Sequence, residues 1–156
     1  WLRTCGTKNL ILIDPYFGLD QLEVLKVISI ELPGTDVTIL TSLAEAKKGC
    51  LGGDIDEFYA TYYRLNVSDQ DPPGVEFVCV GSGDHDSAPF HDRFWLAEST
   101  GLRLGTSFNG FGVRDSEIGY LSEEEVIRKR KEVSRYCEKR VREVGGKRLR
   151  YVTFTL

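Results

Sequence analysis

Apolar and polar positions alternate with two different periods along this chain, and the switch between them marks out the elements. Asn9 to Ile13 is an apolar run closed by Asp14-Pro15-Tyr16-Phe17-Gly18, the pattern of a buried strand with a loop behind it. From Leu19 to Leu32, apolar residues fall at Leu22, Leu25, Ile28 and Leu32, a helical spacing that Pro33-Gly34 stops. Val37 to Leu40 predicts a second strand. Ser42 to Lys48 predicts a short helix, ended by Gly49 and Gly52-Gly53. Asp54 to Leu65 predicts a further helix, rich in aromatics, before a loop at Asp69 to Gly74. Val75 to Val80 carries almost no polar residue, as a strand covered on both faces should.

The second half begins with a polar loop, Gly81 to Pro89. A strand, a turn and a second strand follow from Phe90, with His91 opening the first strand and Glu98 in the turn. Gly105 to Gly110 closes the second strand. Arg93 lies two positions after His91, so both side chains should share one side of the sheet. Ser122 and Glu125 form a capping box that starts a helix running to about Val144, where Gly145-Gly146 ends it. Val126, Val133, Cys137, Val141 and Val144 give this helix an apolar stripe. Leu149 to Leu156 alternates as a last strand. Strands alternating with helices predict one α/β domain over residues 1–156, a mixed sheet flanked by helices.

Composition narrows the class. Hydrophobic residues make up 41% and charged residues 28%, ordinary for a soluble domain of 156 residues. A net charge of −4 argues against a broad basic face and leaves room only for a local patch. No apolar run approaches the roughly 18 residues that a membrane span needs. The opening residues lack signal-peptide features, and the cysteine usage reads as that of a cytoplasmic protein. Cys5, Cys50, Cys79 and Cys137 form no CxxC pair, so neither a zinc ribbon nor a disulfide framework is predicted; Cys79 reads as a small buried hydrophobe. Met is absent and residue 1 is Trp, which predicts a segment of a longer protein.

Candidate chemistry concentrates between His91 and Gly110. A histidine, a cation (Arg93), a carboxylate (Glu98), the hydroxyls of Thr106 and Ser107, and Asn109 form the inventory of an oxyanion or phosphate site. Several of the candidates have a plainer reading. His91 fits a strand-edge histidine satisfied by a backbone carbonyl. Arg93 fits an ion pair with Glu98 or Asp92. Asn109-Gly110 fits a turn. Asp14 fits a strand terminator, or a residue lining the same cleft from the end of the first strand. Asp84, His85, Asp86, His91 and Asp92 hold metal-ligand chemistry but read as a polar loop, and no metal or other cofactor is predicted. On the Ser122 helix, Arg128, Lys129, Arg130 and Lys131 stand among acidic residues. That alternation marks a solvated face, with some attraction for nucleic acid or anionic lipid.

With those residues in place, the chain resembles the phospholipase D superfamily, whose motif is H-x-K-x4-D-x6-G-S-x-x-N. His91, Arg93, Glu98, Gly105-Thr106 and Asn109 stand at its spacing, with Arg for Lys, Glu for Asp and Thr for Ser. The upstream order of strands and helices is similar too. The resemblance implies a phospholipase D-like domain and phosphodiester chemistry. One histidine attacks phosphorus to give a phosphohistidine, and a second, from another copy of the motif, protonates the leaving group. It assigns catalysis to His91, Arg93, Glu98 and Asn109, and substrate binding to Thr106, Ser107 and Asp14. His85 is the only other histidine and repeats no motif. Catalysis therefore implies a homodimer, or a second motif in sequence outside this chain. Single-motif members working as dimers resemble nucleases, so nucleic acid is the expected substrate. The three substitutions leave a rival: a degenerate, non-catalytic module that binds phosphate, membrane or a protein partner.

Overall fold

The computed structural model describes residues 1–50, 52–106 and 116–156. A short helix, α1 (Leu2–Cys5), precedes β1 (Asn9–Ile13). A 3-10 turn at Leu19–Gln21 leads into α2 (Glu23–Glu31), then β2 (Asp36–Ser42), α3 (Leu43–Ala46), α4 (Ile55–Asn66) and β3 (Val75–Ser82). The second half holds β4 (Phe94–Leu96), β5 (Gly101–Leu104), β6 (Ile118–Leu121), α5 (Glu123–Cys137), β7 (Glu143–Val144) and β8 (Lys147–Thr155). One mixed sheet of eight strands carries them, in the order β6-β5-β4-β1-β2-β3-β8-β7. Within it β1, β2 and β3 run parallel, and β4 pairs antiparallel to β1 with Phe94 opposite Ile13.

The period-two pattern divides the core in two. Leu10, Leu12, Val37, Ile39, Val75, Phe77 and Cys79 face α2 and α4, meeting Leu22, Leu25, Ile28, Tyr59 and Tyr63. Ile11, Ile13, Leu40, Val78 and Val80 face the opposite way, toward Val133 of α5. Both parallel crossovers place their helices on the first face, as right-handed connections between neighbouring parallel strands require. The result is a sheet between two helical layers, and it explains why β1 and β3 read as nearly continuous apolar runs. Among the described residues, no helix is long and apolar enough to cross a membrane. All four cysteines are free thiols. Burial pushes the thiol of Cys79 up to about 12.

Two expectations change. His91 does not open a strand: β4 begins at Phe94, and His91 belongs to the loop before it. That loop must travel from β3 past β2 and β1 to reach β4, so its last residues are spent on the crossing. The long helix ends at Cys137 rather than near Val144. Lys139 adopts a left-handed conformation (φ 56), and Arg140 N–H returns to the Arg135 carbonyl at 2.8 Å, closing a Schellman turn. Val141 and Val144 thus lie beyond the helix. Gly145 (φ 57) and Gly146 (φ 74) are the two central residues of a tight hairpin between β7 and β8. Two adjacent positive φ values define a type I′ turn, and glycine satisfies both at no steric cost. The sequence pattern also predicted neither α1 nor β6.

Candidate active site at the carboxyl end of the parallel strands

The loop from Gly83 to Arg93 crosses the carboxyl ends of the parallel strands, where open α/β sheets bind ligands. It is held at several points. Ser82 N–H donates to Ser87 O at 2.9 Å, and Ala44 N–H donates to Asp86 O at 3.0 Å. The Asp86 carboxylate then takes Lys47 Nζ at 2.9 Å and Arg150 at 2.6 Å. Asp86 presses so closely on Gly81 that a Cβ there would lie 2.5 Å from its Oδ1. The loop is therefore pinned midway, and its second half delivers Pro89 to Arg93 over β2 and β1.

His91 is exposed at the end of this crossing and borders two cavities. One, of about 280 Å³, opens between the loop and α5. The other, of about 210 Å³, lies against Pro15, Tyr16 and the start of α3. Phe90 stands between them and packs edge-on to Tyr136 of α5, with ring centroids 5.7 Å apart. Asp92, next to His91, meets Lys129 Nζ at 3.3 Å.

Arg93 pairs with the end of β1. Its Nε is buried, makes no hydrogen bond among the described residues and lies 3.6 Å from Asp14 Oδ1. Its guanidinium carbon lies 5.3 Å from the centroid of the Tyr16 ring. Asp14 is 1% exposed and accepts the Tyr16 N–H at 2.9 Å, so it serves this pair from beneath the surface. The ion-pair partner of Arg93 is thus Asp14, not the Glu98 or Asp92 that sequence proximity suggested.

Glu98 lies at the opposite end of the sheet. It accepts the Thr7 hydroxyl, and the Lys8 N–H at 3.3 Å, both just ahead of β1. The Thr7 hydrogen bond holds its carboxyl below the usual glutamate range, opposed by partial burial and helped by backbone N–H groups and Arg130. Arg130 itself clamps the same edge, donating to the Leu96 and Ala97 carbonyls and to Asn9 Oδ1 at 3.0–3.2 Å. The length of β1, about 17 Å at the usual rise per residue, separates this edge from Asp14.

Gly105 and Thr106 return to the His91 end, because Leu104 N–H donates to Arg93 O at 3.0 Å. Ser107 and Asn109 lie outside the described residues. Among the described residues, then, the structure gathers His91, Arg93, Asp14 and Thr106 at one end and places Glu98 at the other. It adds Lys129, Glu132 and Tyr136, which line the larger cavity from α5. Lys129 and Glu132 were hidden in what reads as a solvated charged face. Only their i, i+3 spacing hints that they act together. Among the described residues, no three His, Cys, Asp or Glu side chains converge to hold a metal. No family model matches this chain, and no curated protein matches it.

Proposed function

We propose that this chain is a phospholipase D-like phosphodiesterase acting on nucleic acid through His91. The observation that supports this reading best is the delivery of His91 by a pinned crossing loop. It stands exposed between two cavities at the carboxyl end of the parallel strands. An imidazole there is free to attack phosphorus, forming an N–P bond as the leaving oxygen departs. The partner protomer's histidine protonates that oxygen, and water then hydrolyses the phosphohistidine. The reaction needs two such imidazoles; a homodimer whose two-fold axis brings the His91 loops together supplies them, as would a second motif outside this chain. Glu98 has no part in the chemistry on this reading; it braces β1 and β4 from the far edge.

A second reading draws on Arg93, whose charge already faces the buried Asp14 carboxylate. A cation neutralised in this way contributes less to a developing phosphoryl charge. The surface around His91 and Arg93 then binds a phosphate-bearing, membrane or protein partner without cleaving it.

The discriminating experiment measures turnover of a chromogenic phosphodiester and of single- and double-stranded DNA, with chelator present, alongside the oligomeric state by sedimentation. Chelator-resistant cleavage, lost in His91→Ala and kept in His85→Ala, is the expected result. A folded dimer that turns over none of these substrates overturns the enzymatic reading and leaves the binding module.

A further inference from the structure

The larger cavity beside His91 has walls and an edge of different chemistry. Ile13, Leu40 and Val133 supply its aliphatic lining, and Phe90, Phe94 and Tyr136 its aromatic lining. Polar groups stand along one side. Lys129 Nζ meets Asp92 at 3.3 Å and Glu132 at 3.2 Å, and lies 4.7 Å from the centroid of the Phe94 ring. The Lys129 side chain is 13% exposed, so its ammonium is held in place rather than swinging in solvent.

Two carboxylates against one ammonium make a poor phosphate site, because a bare anion meets net negative charge. The same edge suits a neutral ligand that offers an acceptor to Lys129 and donors to Glu132 side by side. The aromatic rings in this lining favour an aromatic ligand over an aliphatic one. A nucleobase has both properties. Guanine fits best, since its O6 lies next to N1–H and the exocyclic N2–H, two parallel donors for one carboxylate. Adenine offers only one such donor beside an acceptor.

We propose that this cavity is a guanine pocket, in which Lys129 donates to O6 and Glu132 accepts from N1–H and N2–H. It rests on the reading of His91 as a nucleic-acid phosphodiesterase site, and it specifies which base sits next to the phosphodiester that His91 attacks.

The test is calorimetric titration of the full chain with guanosine, the four nucleoside monophosphates and inorganic phosphate, none of which His91 can cleave as a diester. Guanosine and its monophosphate should bind, with the guanine nucleotide about tenfold tighter than the others. Inorganic phosphate should not compete. Glu132→Gln should erase the preference for guanine, whereas Glu124→Gln on the same helix should leave it intact. Equal affinity for all four nucleotides, no saturable binding, or an unaltered preference in a folded Glu132→Gln variant each overturn the pocket. Guanine binding without any diester turnover sinks the catalytic reading and leaves the pocket standing. Turnover without a guanine preference does the reverse.

Discussion

Arg93 and Asp14 face each other across the seam between β4 and β1, Nε to Oδ1 at 3.6 Å, with the carboxylate almost wholly buried. Neither charge is cheap to leave alone there. Breaking a buried pair by removing one partner strands the other, at 3–5 kcal/mol in the fully buried case. Arg93 retains 22% side-chain exposure, which discounts the cost. Asp14→Asn should lower stability by about 2 kcal/mol, read from the urea midpoint at unchanged m-value. Arg93→Gln should cost a similar amount, and the double variant little more than either. Fully additive losses would show that the two residues are not coupled.

Glu98 gives the fold a pH dependence with a definite sign. Its folded pKa is lowered, chiefly by the Thr7 hydroxyl. The stabilisation is present above the ordinary glutamate value, about 4.3, and is lost as pH falls through the lower folded value. Thermal melts between pH 2.5 and 7 (roughly, the span of carboxylate titration) should therefore drop more steeply in the wild type than in Glu98→Gln. Parallel profiles for the two proteins would mean that the Thr7–Glu98 contact does not form in solution.

The parallel strands were legible because burial on both faces leaves a mostly apolar run, as at β3, where Glu76 is the one charged residue. The motif was legible only in part, because spacing along the chain does not show which end of a strand a residue occupies. Arg93 and Glu98 are five positions apart in sequence, yet β4 lies between them and sends one to each end of the sheet. The partner of Arg93 comes from the end of β1, a pairing that only the β1–β4 register reveals. Gly145-Gly146 serves equally as a helix stop or a type I′ turn, and the earlier Schellman closure at Lys139 decided it. Lys129 and Arg130 share the charge pattern of their exposed neighbours. What turns them inward is the geometry of α5 on the sheet, which charge alternation does not encode.

Tyr59 is fully buried between Phe77 and Phe154, its ring centroid 5.2 and 5.1 Å from theirs, and its hydroxyl has no hydrogen-bond partner among the described residues. Burial pushes the phenol far above its ordinary range, so it stays neutral. An orphaned hydroxyl costs roughly 1–3 kcal/mol relative to solvent. Tyr59→Phe should accordingly raise stability by about 1 kcal/mol, while Tyr59→Ala should lose about 3 kcal/mol or more from the cavity it opens. A loss in the Phe variant, measured by chemical denaturation, would reveal a partner for the hydroxyl.

Lys139 closes α5 in a conformation that its Cβ resists, with φ at 56. The left-handed region costs a non-glycine residue roughly 1–2 kcal/mol, and glycine is the usual choice at this position of a Schellman turn. The side chain returns little, since its contact with Thr153 Oγ1 is exposed and 3.3 Å long. Lys139→Gly should gain about 1 kcal/mol once the added freedom of the unfolded glycine is deducted. Lys139→Ala removes the same charge and contact but keeps the Cβ, and should gain nothing. Thermal unfolding of the two variants side by side separates the causes: a gain confined to glycine comes from the backbone. An equal gain in both would instead mean that the lysine charge, among Arg135, Arg140 and Arg142, is what the helix end tolerates badly.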